Sequence, residues 1–355
     1  MYGVLHINNR LNSIYTAPSG QRCEARFFTD NGGKIMKIRI IRSDEVKKSL
    51  PMAEAVEVME NAFKQFSRKN AEVPLRGRIQ SEKGISLFMP AYLKESKDLG
   101  IKLVSVYDNN KKFNLPTVNG MVIIIDPETG LPSAMIEGSS LTALRTGALG
   151  GLAAKWLSRE NAETATLFGA GIQGRSQLEA LFTVRAIKQV NIIDHSEASA
   201  QRLALIVRTF NGKPEVKTNI PVNRAIASSD IIITATNSTK PVFNGNHLEP
   251  GTHITGVGSF TPEMKELDAK TVKISKIIVD SKEACMAEAG ELIANKADIH
   301  AEIGDVLTGI KPGRENEKEI TFFKTVGLAV QDAAAGGEIL RQAEAKNIGQ
   351  VIDFE

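Results

Sequence analysis

The sequence predicts an α/β protein in which a doubly wound parallel sheet follows a smaller α+β domain. From Thr164 onward, short β-branched runs alternate with helix-compatible segments, a pattern typical of parallel strands joined by right-handed crossovers. Before that point, strand-like runs follow one another with turn residues between them, which favours antiparallel pairing. At 355 residues, the chain is long enough for both domains.

The first half opens with a predicted strand over 37–41 and a helix that begins at Ser43 or Asp44. A second helix follows from about Met52 to Arg68, because its apolar residues recur at helical spacing. These residues are Ala55, Val56, Met59, Ala62, Phe63 and Phe66. Strands are then expected at 85–89, 100–106, 118–125 and 131–137, with a turn at 126–130 before the last of them.

A small-residue helix over 141–156 bridges the two halves of the chain. The second half then alternates strands and helical segments. The strands are predicted at 164–168, 190–194, 216–219, 231–234, 254–257 and 277–279. A tail helix over about 325–346 is expected to pack back onto the first domain.

A glycine-rich motif follows the first strand of the second half. It reads Gly169-Ala170-Gly171-Ile172-Gln173-Gly174 and leads into a helix. In that context, the first glycine permits a tight turn, the second admits a dinucleotide pyrophosphate and the third lets the helix pack closely. The free N–H groups at the helix start favour an anion. The motif therefore predicts a Rossmann-type sheet that binds a dinucleotide; the alternative is a purely structural turn.

Residues at later strand ends extend this prediction. Asp194 ends the next strand, a little beyond the roughly 20 residues expected before a ribose-binding carboxylate. Such a carboxylate repels a 2′-phosphate and favours NAD, although His195 and Arg202 nearby keep NADP possible; alternatively, Asp194 faces solvent. Ala235 and Thr236 follow another strand, and Gly258 a further one, where ligands of open α/β sheets bind.

Composition excludes several classes of function. The net charge of +3 and the absence of a basic cluster argue against nucleic acid or a membrane surface as partner. No run approaches the roughly 20 apolar residues that span a bilayer. Cys23 and Cys285 lack metal or redox spacing, which favours a cytoplasmic setting. Residues 1–35 read as a disordered or untranslated leader, with Met36 as the alternative start.

Two isolated cations lie in apolar surroundings. Arg145 stands in a small-residue helical segment, where a buried cation needs an anionic partner. Lys102 stands alone between apolar residues of a predicted strand and could equally point outward. No zinc-protease or serine-hydrolase motif accompanies them.

Several further motifs occur in one order from about Met36 to the C-terminus. They are 87–90 (Leu-Phe-Met-Pro), 100–105 (Gly-Ile-Lys-Leu-Val-Ser), 141–146 (Leu-Thr-Ala-Leu-Arg-Thr), 169–173, 251–258, 312–314 (Pro-Gly-Arg) and 320–322 (Ile-Thr-Phe). On these motifs the chain resembles the ornithine cyclodeaminase/mu-crystallin family. The resemblance implies a substrate-binding and dimerisation domain over 36–145, completed by the C-terminal helix within 326–355. It implies an NAD(P)-binding domain over 146–325 and a homodimer.

The resemblance also implies roles for single residues. Arg76 is expected to hold a substrate carboxylate, with Arg78 as a competitor, because a guanidinium pairs with a carboxylate in a bidentate manner. Lys102 is expected to contact that carboxylate and to transfer a proton. Three cofactor contacts are implied: Thr117, Arg145 at a phosphate, and Thr325 at the nicotinamide end.

One position departs from the family pattern. Ornithine cyclodeaminases carry an aspartate after the fifth strand of this domain, where this chain has Phe260; Glu263 or Glu266 could replace it. The departure favours an NAD(P)-dependent oxidoreductase that interconverts an α-imino acid, of cyclic ketimine or iminopropionate type, and an L-α-amino acid. The alternatives are ornithine cyclodeaminase, which makes L-proline and ammonia with catalytic NAD, and a non-catalytic small-ligand binder resembling mu-crystallin.

Overall fold

The computed structural model describes residues 36–354, so the prediction for residues 1–35 lies outside the described residues. In the first half of the chain, strands mostly follow one another without a helix between them. Its elements are β1 (Lys37–Ile41), α1 (Ser43–Ser49), α2 (Met52–Ser67), β2 (Ala71–Glu72), β3 (Gly77–Gln80), β4 (Ile85–Leu93), β5 (Asp98–Val106), β6 (Val118–Ile125), β7 (Pro132–Glu137) and α3 (Gly138–Leu157).

The second half alternates strands and helices, as predicted. Its elements are β8 (Thr164–Phe168), α4 (Ile172–Val184), β9 (Gln189–Ile193), α5 (Glu197–Val207), β10 (Glu215–Lys217), α6 (Val222–Ala227), β11 (Ile231–Thr234), β12 (His253–Gly256), α7 (Ala269–Ile274), β13 (Lys276–Val279), α8 (Lys282–Glu288), α9 (Gly290–Ala294), β14 (Ile299–Glu302), α10 (Ile303–Leu307), β15 (Thr321–Lys324), α11 (Ala329–Ala345) and β16 (Gln350–Asp353).

The strands form two sheets. The first has the order β16-β1-β7-β6-β5-β4-β2, with β3 also paired to β4, and is antiparallel except between β1 and β7. The second has the order β10-β9-β8-β11-β12-β15-β13-β14 and is parallel throughout. The fold class is the one predicted: a Rossmann-type doubly wound sheet joined to an α+β domain. The strand order reverses between β8 and β11, which is where such sheets bind ligands.

Helix α3 joins the two halves and is buried along most of its length. The carboxylate of Glu137 caps its start by accepting hydrogen bonds from the backbone N–H groups of Ser139 and Ser140, each at 2.8 Å. Gly147 lies against the backbone of Ser176 in α4, leaving no room there for a side chain. The small residues of α3 therefore permit the close helix contact that holds the two domains together.

Helix α11 covers the inner face of the first sheet. A side chain at Gly336 or Gly337 would collide with Ile124 or Asp98 of that sheet, so the two glycines allow close approach. This helix lies near the C-terminus of the sequence, but it packs on strands β4, β5 and β6 from the first half of the chain. Among residues 36–354, no helix combines the length and apolar character needed to span a membrane.

Candidate active site

A crevice of about 870 Å³ separates the carboxyl ends of the parallel strands from the inner face of the first sheet. Eleven of the residues that the sequence analysis expects to bind cofactor or substrate line it. They are Arg76, Lys102, Arg145, Gly169, Gly171, Gln173, Asp194, Ala235, Thr236, Gly258 and Thr325. The fold therefore brings the dinucleotide motif and the isolated cations to one cavity.

The glycine-rich loop forms one wall of the crevice. Gly169 has a φ of 98°, a left-handed conformation that favours glycine, and a side chain at Gly174 would collide with the Gly169 carbonyl. Gly171 differs from both, since a Cβ there would meet no described atom within 4 Å. Gly171 is also the N-cap residue of α4, so no cap side chain accepts hydrogen bonds from the first N–H groups of that helix. The loop therefore leaves an open cradle at a helix N-terminus, which fits a pyrophosphate.

Asp194 lies beside this loop and anchors it. One carboxylate oxygen accepts a hydrogen bond from the Ala170 N–H at 2.7 Å, and the other accepts from the Ser196 N–H at 2.8 Å. His195 Nδ1 lies 3.1 Å from the second oxygen. The aspartate faces the crevice, where it can accept hydrogen bonds from ribose hydroxyls.

Glu266 organises the neighbouring strand ends and is fully buried. Its carboxylate accepts hydrogen bonds from the N–H and hydroxyl of Thr236, at 2.6 and 2.8 Å. It also accepts from the Thr234 hydroxyl at 2.9 Å and the Gly258 N–H at 2.8 Å. Glu266 is therefore committed to the loops and does not take the place of a catalytic aspartate. Glu263 is exposed, whereas Phe260 lines the crevice with 53% of its surface exposed.

Lys102 points inward, toward the crevice. It pairs in register with Met89 and Val122, both buried on the inner face of the sheet. Its Nζ donates hydrogen bonds to the Thr142 hydroxyl at 2.6 Å and to Asp332 Oδ1 at 3.1 Å. The possibility that this lysine faces solvent is thus excluded, because it is 3% exposed.

Arg145 shares the same aspartate. Its Nε donates to Asp332 Oδ1 at 3.2 Å and its Nη1 donates to Gln331 Oε1 at 2.9 Å. The anionic partner that a buried Arg145 requires is therefore Asp332 of α11. These contacts place Arg145 at the Lys102 end of the crevice, and its expected contact to a cofactor phosphate stays a prediction.

Arg76 meets the second domain across the crevice. Its Nη2 lies 3.2 Å from Glu288 Oε1 and donates to the Gly327 carbonyl at 3.3 Å. The segment around Gly327 is fixed by Asp280, whose Oδ2 accepts from the Thr325 hydroxyl at 2.7 Å and from the N–H groups of Val326 and Gly327, each at 2.9 Å. Arg78 instead bonds to Gln80 on the exposed strand β3.

Three expected cofactor residues do not line the crevice. Ala170 and Gly174 shape the loop from behind, through the contacts described above, and Thr117 precedes Val118, which does line the crevice. Four important side chains were absent from the sequence prediction: Thr142, Asp280, Glu288 and Asp332. Only Asp332 left a signal, since an acid inside a small-residue helix needs a buried cation as partner.

Burial shifts the pKa values of two of these groups in functionally relevant directions. It lowers the pKa of Lys102 to about 8, with Asp332 acting in the opposite direction and the charges of Arg145 and Arg76 adding to the decrease. Burial raises the pKa of Glu288, which the charge of Arg76 opposes. The crevice thus holds a lysine able to exchange a proton near neutral pH.

These features define a protein of two sheets in which a dinucleotide cradle faces a cluster of cations. Residues 36–347 match the model of the ornithine cyclodeaminase/mu-crystallin family, and the chain belongs to that family. A relative from Bacillus cereus, Delta(1)-pyrroline-2-carboxylate reductase, is 38% identical over 325 residues, covering 89% of this chain and 99% of the relative.

Solved structures agree with this assignment. Delta(1)-pyrroline-2-carboxylate reductase of Thermococcus litoralis, in complex with NADH and L-proline, has a TM-score of 0.83 and 38% identity over 88% of this chain and 99% of that one. An archaeal alanine dehydrogenase dimer with bound NAD has a TM-score of 0.84 and 35% identity over 90% of this chain and 100% of that one. The predicted family resemblance is confirmed.

Proposed function

We propose that this protein is an NAD(H)-dependent reductase that converts α-imino acids to L-α-amino acids, and the reverse. The observation that carries the proposal is the meeting of the glycine-rich cradle and three cations, Lys102, Arg145 and Arg76, in one crevice. The reductase and dehydrogenase relatives, matched over nearly their whole length, support the same chemistry.

The cofactor half of the proposal rests on the chain's own residues. The Gly171 cradle fits the pyrophosphate, and Asp194 fits the adenosine ribose hydroxyls while repelling a 2′-phosphate. NAD is therefore the proposed cofactor, with NADP as a weaker one. Bound NADH supplies the hydride that reduces the imine carbon. Thr325, held by Asp280, is proposed to contact the nicotinamide end.

The substrate half depends on charge balance around Lys102. Three cations face two carboxylates, of which Asp332 is shared by Lys102 and Arg145, and Glu288 is paired with Arg76. One positive charge therefore remains for a substrate carboxylate. We propose that Arg76 and Lys102 hold that carboxylate, and that Lys102 Nζ gives a proton to the imine nitrogen during reduction.

The wall of the crevice that the substrate side chain would contact is apolar. Beyond Lys102, the inner face of the sheet continues with Leu87 paired to Val104 and with Val106 paired to Val118, and all four line the crevice. A distal ammonium such as that of ornithine would face these residues and Phe260 without an acceptor. Cyclic ketimines and short alkyl imino acids suit this wall better than diamino acids.

We further propose a homodimer formed through the first sheet, and a cytoplasmic location in keeping with the buried free thiol of Cys285. The solved alanine dehydrogenase relative is a dimer. The outward face of the sheet is largely apolar, with a row formed by Pro90, Ile101, Ile123 and Met135. An apolar sheet face of this kind favours burial against a second copy.

The first prediction is a substrate profile. We expect NADH oxidation with Δ1-pyrroline-2-carboxylate, Δ1-piperideine-2-carboxylate, or pyruvate plus ammonia, and neither NADH turnover nor ammonia release with L-ornithine. Lys102→Ala is expected to lower the rate by at least about 100-fold, the size of a general-acid contribution. The variant should still bind NADH, as measured by the change in NADH fluorescence on binding. Full activity of that variant, or ammonia release from ornithine, would contradict the proposal.

A further inference from the structure

Asp332 lies behind the reactive lysine rather than in the crevice. It is in the first turn of α11 and is 1% exposed. Its Oδ1 accepts hydrogen bonds from both Lys102 Nζ and Arg145 Nε, at 3.1 and 3.2 Å. Its Oδ2 has no hydrogen-bond partner among residues 36–354. A single carboxylate thus serves two buried cations.

We propose that Asp332 is a positioning residue that keeps Lys102 protonated and directs one of its N–H groups into the crevice. The proposal rests on the reductase function proposed above. It gives α11 a role in catalysis: no residue of this helix lines the crevice, yet the helix supplies the counter-charge for the proton donor.

The hydrogen-bond directions around Lys102 support this role. The Thr142 hydroxyl donates to the Gly138 carbonyl at 2.6 Å, so it can only accept from Lys102 Nζ. Asp332 accepts a second Nζ hydrogen. An ammonium has three hydrogens, so the third is left for the crevice that Lys102 lines. That hydrogen is the one available to the substrate, whose imine nitrogen and carboxylate are borne on adjacent carbon atoms and can share it before the proton is transferred.

The proton balance follows from the same geometry. During reduction, the third N–H bond of Lys102 breaks, its proton forms the new bond to the imine nitrogen, and the electron pair stays on Nζ. The neutral amine keeps two hydrogens, which remain on Thr142 and Asp332, and its lone pair faces the crevice. In the reverse direction that lone pair takes a proton from the amino acid, while solvent restores the ammonium between reductive turnovers.

Electrostatics explain why a carboxylate is required at this position. Lys102 is faced by Arg145 from α3, by Arg76 from the segment between β2 and β3, and by Asp332 from α11; Glu288 of α8 neutralises Arg76 from the far side. Burial and both arginines lower the pKa of Lys102, and Asp332 is the largest effect that raises it. Without Asp332, Lys102 would lose its proton at a much lower pH.

The test is the pH dependence of Asp332→Asn, which keeps the shape and removes the charge. In the wild type, reduction is expected to decline as pH rises through about 8, where Lys102 loses its proton. In the variant, this midpoint should fall by roughly one to three pH units, the effect of removing an opposite charge at this distance. The midpoint for amino-acid oxidation should fall by the same amount.

A direct readout accompanies the kinetics. The Lys102 Cε resonance of 13C-lysine-labelled protein, assigned by its loss in Lys102→Arg, should titrate at the same lowered pH without substrate. Asp332→Glu should move the midpoint back upward. Asp98→Asn is the matched control, because Asp98 and Arg341 form another contact between β5 and α11, at 2.7 Å, away from the crevice; its midpoint should equal that of the wild type.

The outcomes distinguish the role of Asp332 from the proposed reductase function. An unchanged Lys102 titration in Asp332→Asn, or an equal shift in Asp98→Asn, overturns the role of Asp332. Failure of the wild type to reduce any α-imino acid overturns the proposed function instead, and the Lys102 resonance then still decides whether Asp332 sets its protonation.

Discussion

Single residues in the glycine-rich loop have separable roles. Gly169 and Gly174 are required by the fold itself, because one has a left-handed backbone and the other has no room for a side chain. Gly171 has neither constraint: its φ is −81° and the space around it is open. The folded protein alone therefore does not explain the glycine at this position, whereas the approach of a pyrophosphate does.

This difference leads to a prediction for Gly171→Ala. We expect a melting temperature close to that of the wild type, because the added methyl group meets no protein atom. NADH affinity should drop by at least about tenfold, a loss of roughly 1.4 kcal/mol, because the methyl group occupies the phosphate cradle. Differential scanning fluorimetry and NADH fluorescence titration measure the two quantities.

Gly174→Ala provides the contrasting variant. Its methyl group would collide with the Gly169 carbonyl, so we expect a lower melting temperature as well as weaker binding. If Gly171→Ala bound NADH as tightly as the wild type, the cradle would not be the pyrophosphate site.

At the scale of elements, periodicity predicted most of the structure. The strands at 37–41, 118–125, 164–168 and 231–234 have the predicted bounds, because their β-branched runs are ended by turn or cap residues. The pairing partner of each strand was not predictable in the same way. Strands β14, β15 and β16 were missed, since four-residue segments with mixed polarity carry little periodic signal.

The candidate site was predictable to the extent that its residues belong to local motifs. The glycine loop and Asp194 follow strands directly, so sequence order sets their place. Asp332, Glu288 and Asp280 reach the crevice only through the packing of α11 and α8 against distant strands. Side chains whose partners lie far away along the sequence leave no local pattern, and the resemblance to the family named none of these three.

At the scale of the whole molecule, the inward and outward faces of the first sheet differ in what covers them. Helices α2, α3 and α11 pack on the inner face, which carries Lys102. The outward row of Pro90, Ile101, Ile123 and Met135 is apolar and half-buried. Because alternate side chains of a strand point to opposite faces, β5 contributes Lys102 to the crevice and Ile101 to the outward apolar row.

We predict that Ile123→Lys converts a wild-type dimer to a monomer, because it places a charge at the centre of this apolar face. Leu205→Lys is the matched control: Leu205 is 64% exposed on α5 of the nucleotide domain, away from the sheet. Sedimentation velocity should give a monomer for the first variant and a dimer for the second. A monomeric wild type, or a dimeric Ile123→Lys, would rule out this interface.

In the proposed enzyme, a carboxylate-binding cluster beside the first sheet faces the reactive end of a dinucleotide held by the second sheet. The transfer of deuterium tests it most directly. With NADH that carries deuterium at both C4 positions and Δ1-pyrroline-2-carboxylate as substrate, mass spectrometry should find one deuterium at the α-carbon of L-proline, in equal amount to the NADH consumed. With Lys102→Ala, the labelled product should form at least about 100-fold more slowly. Product without deuterium, or no consumption of NADH or NADPH with any α-imino acid, would contradict the account.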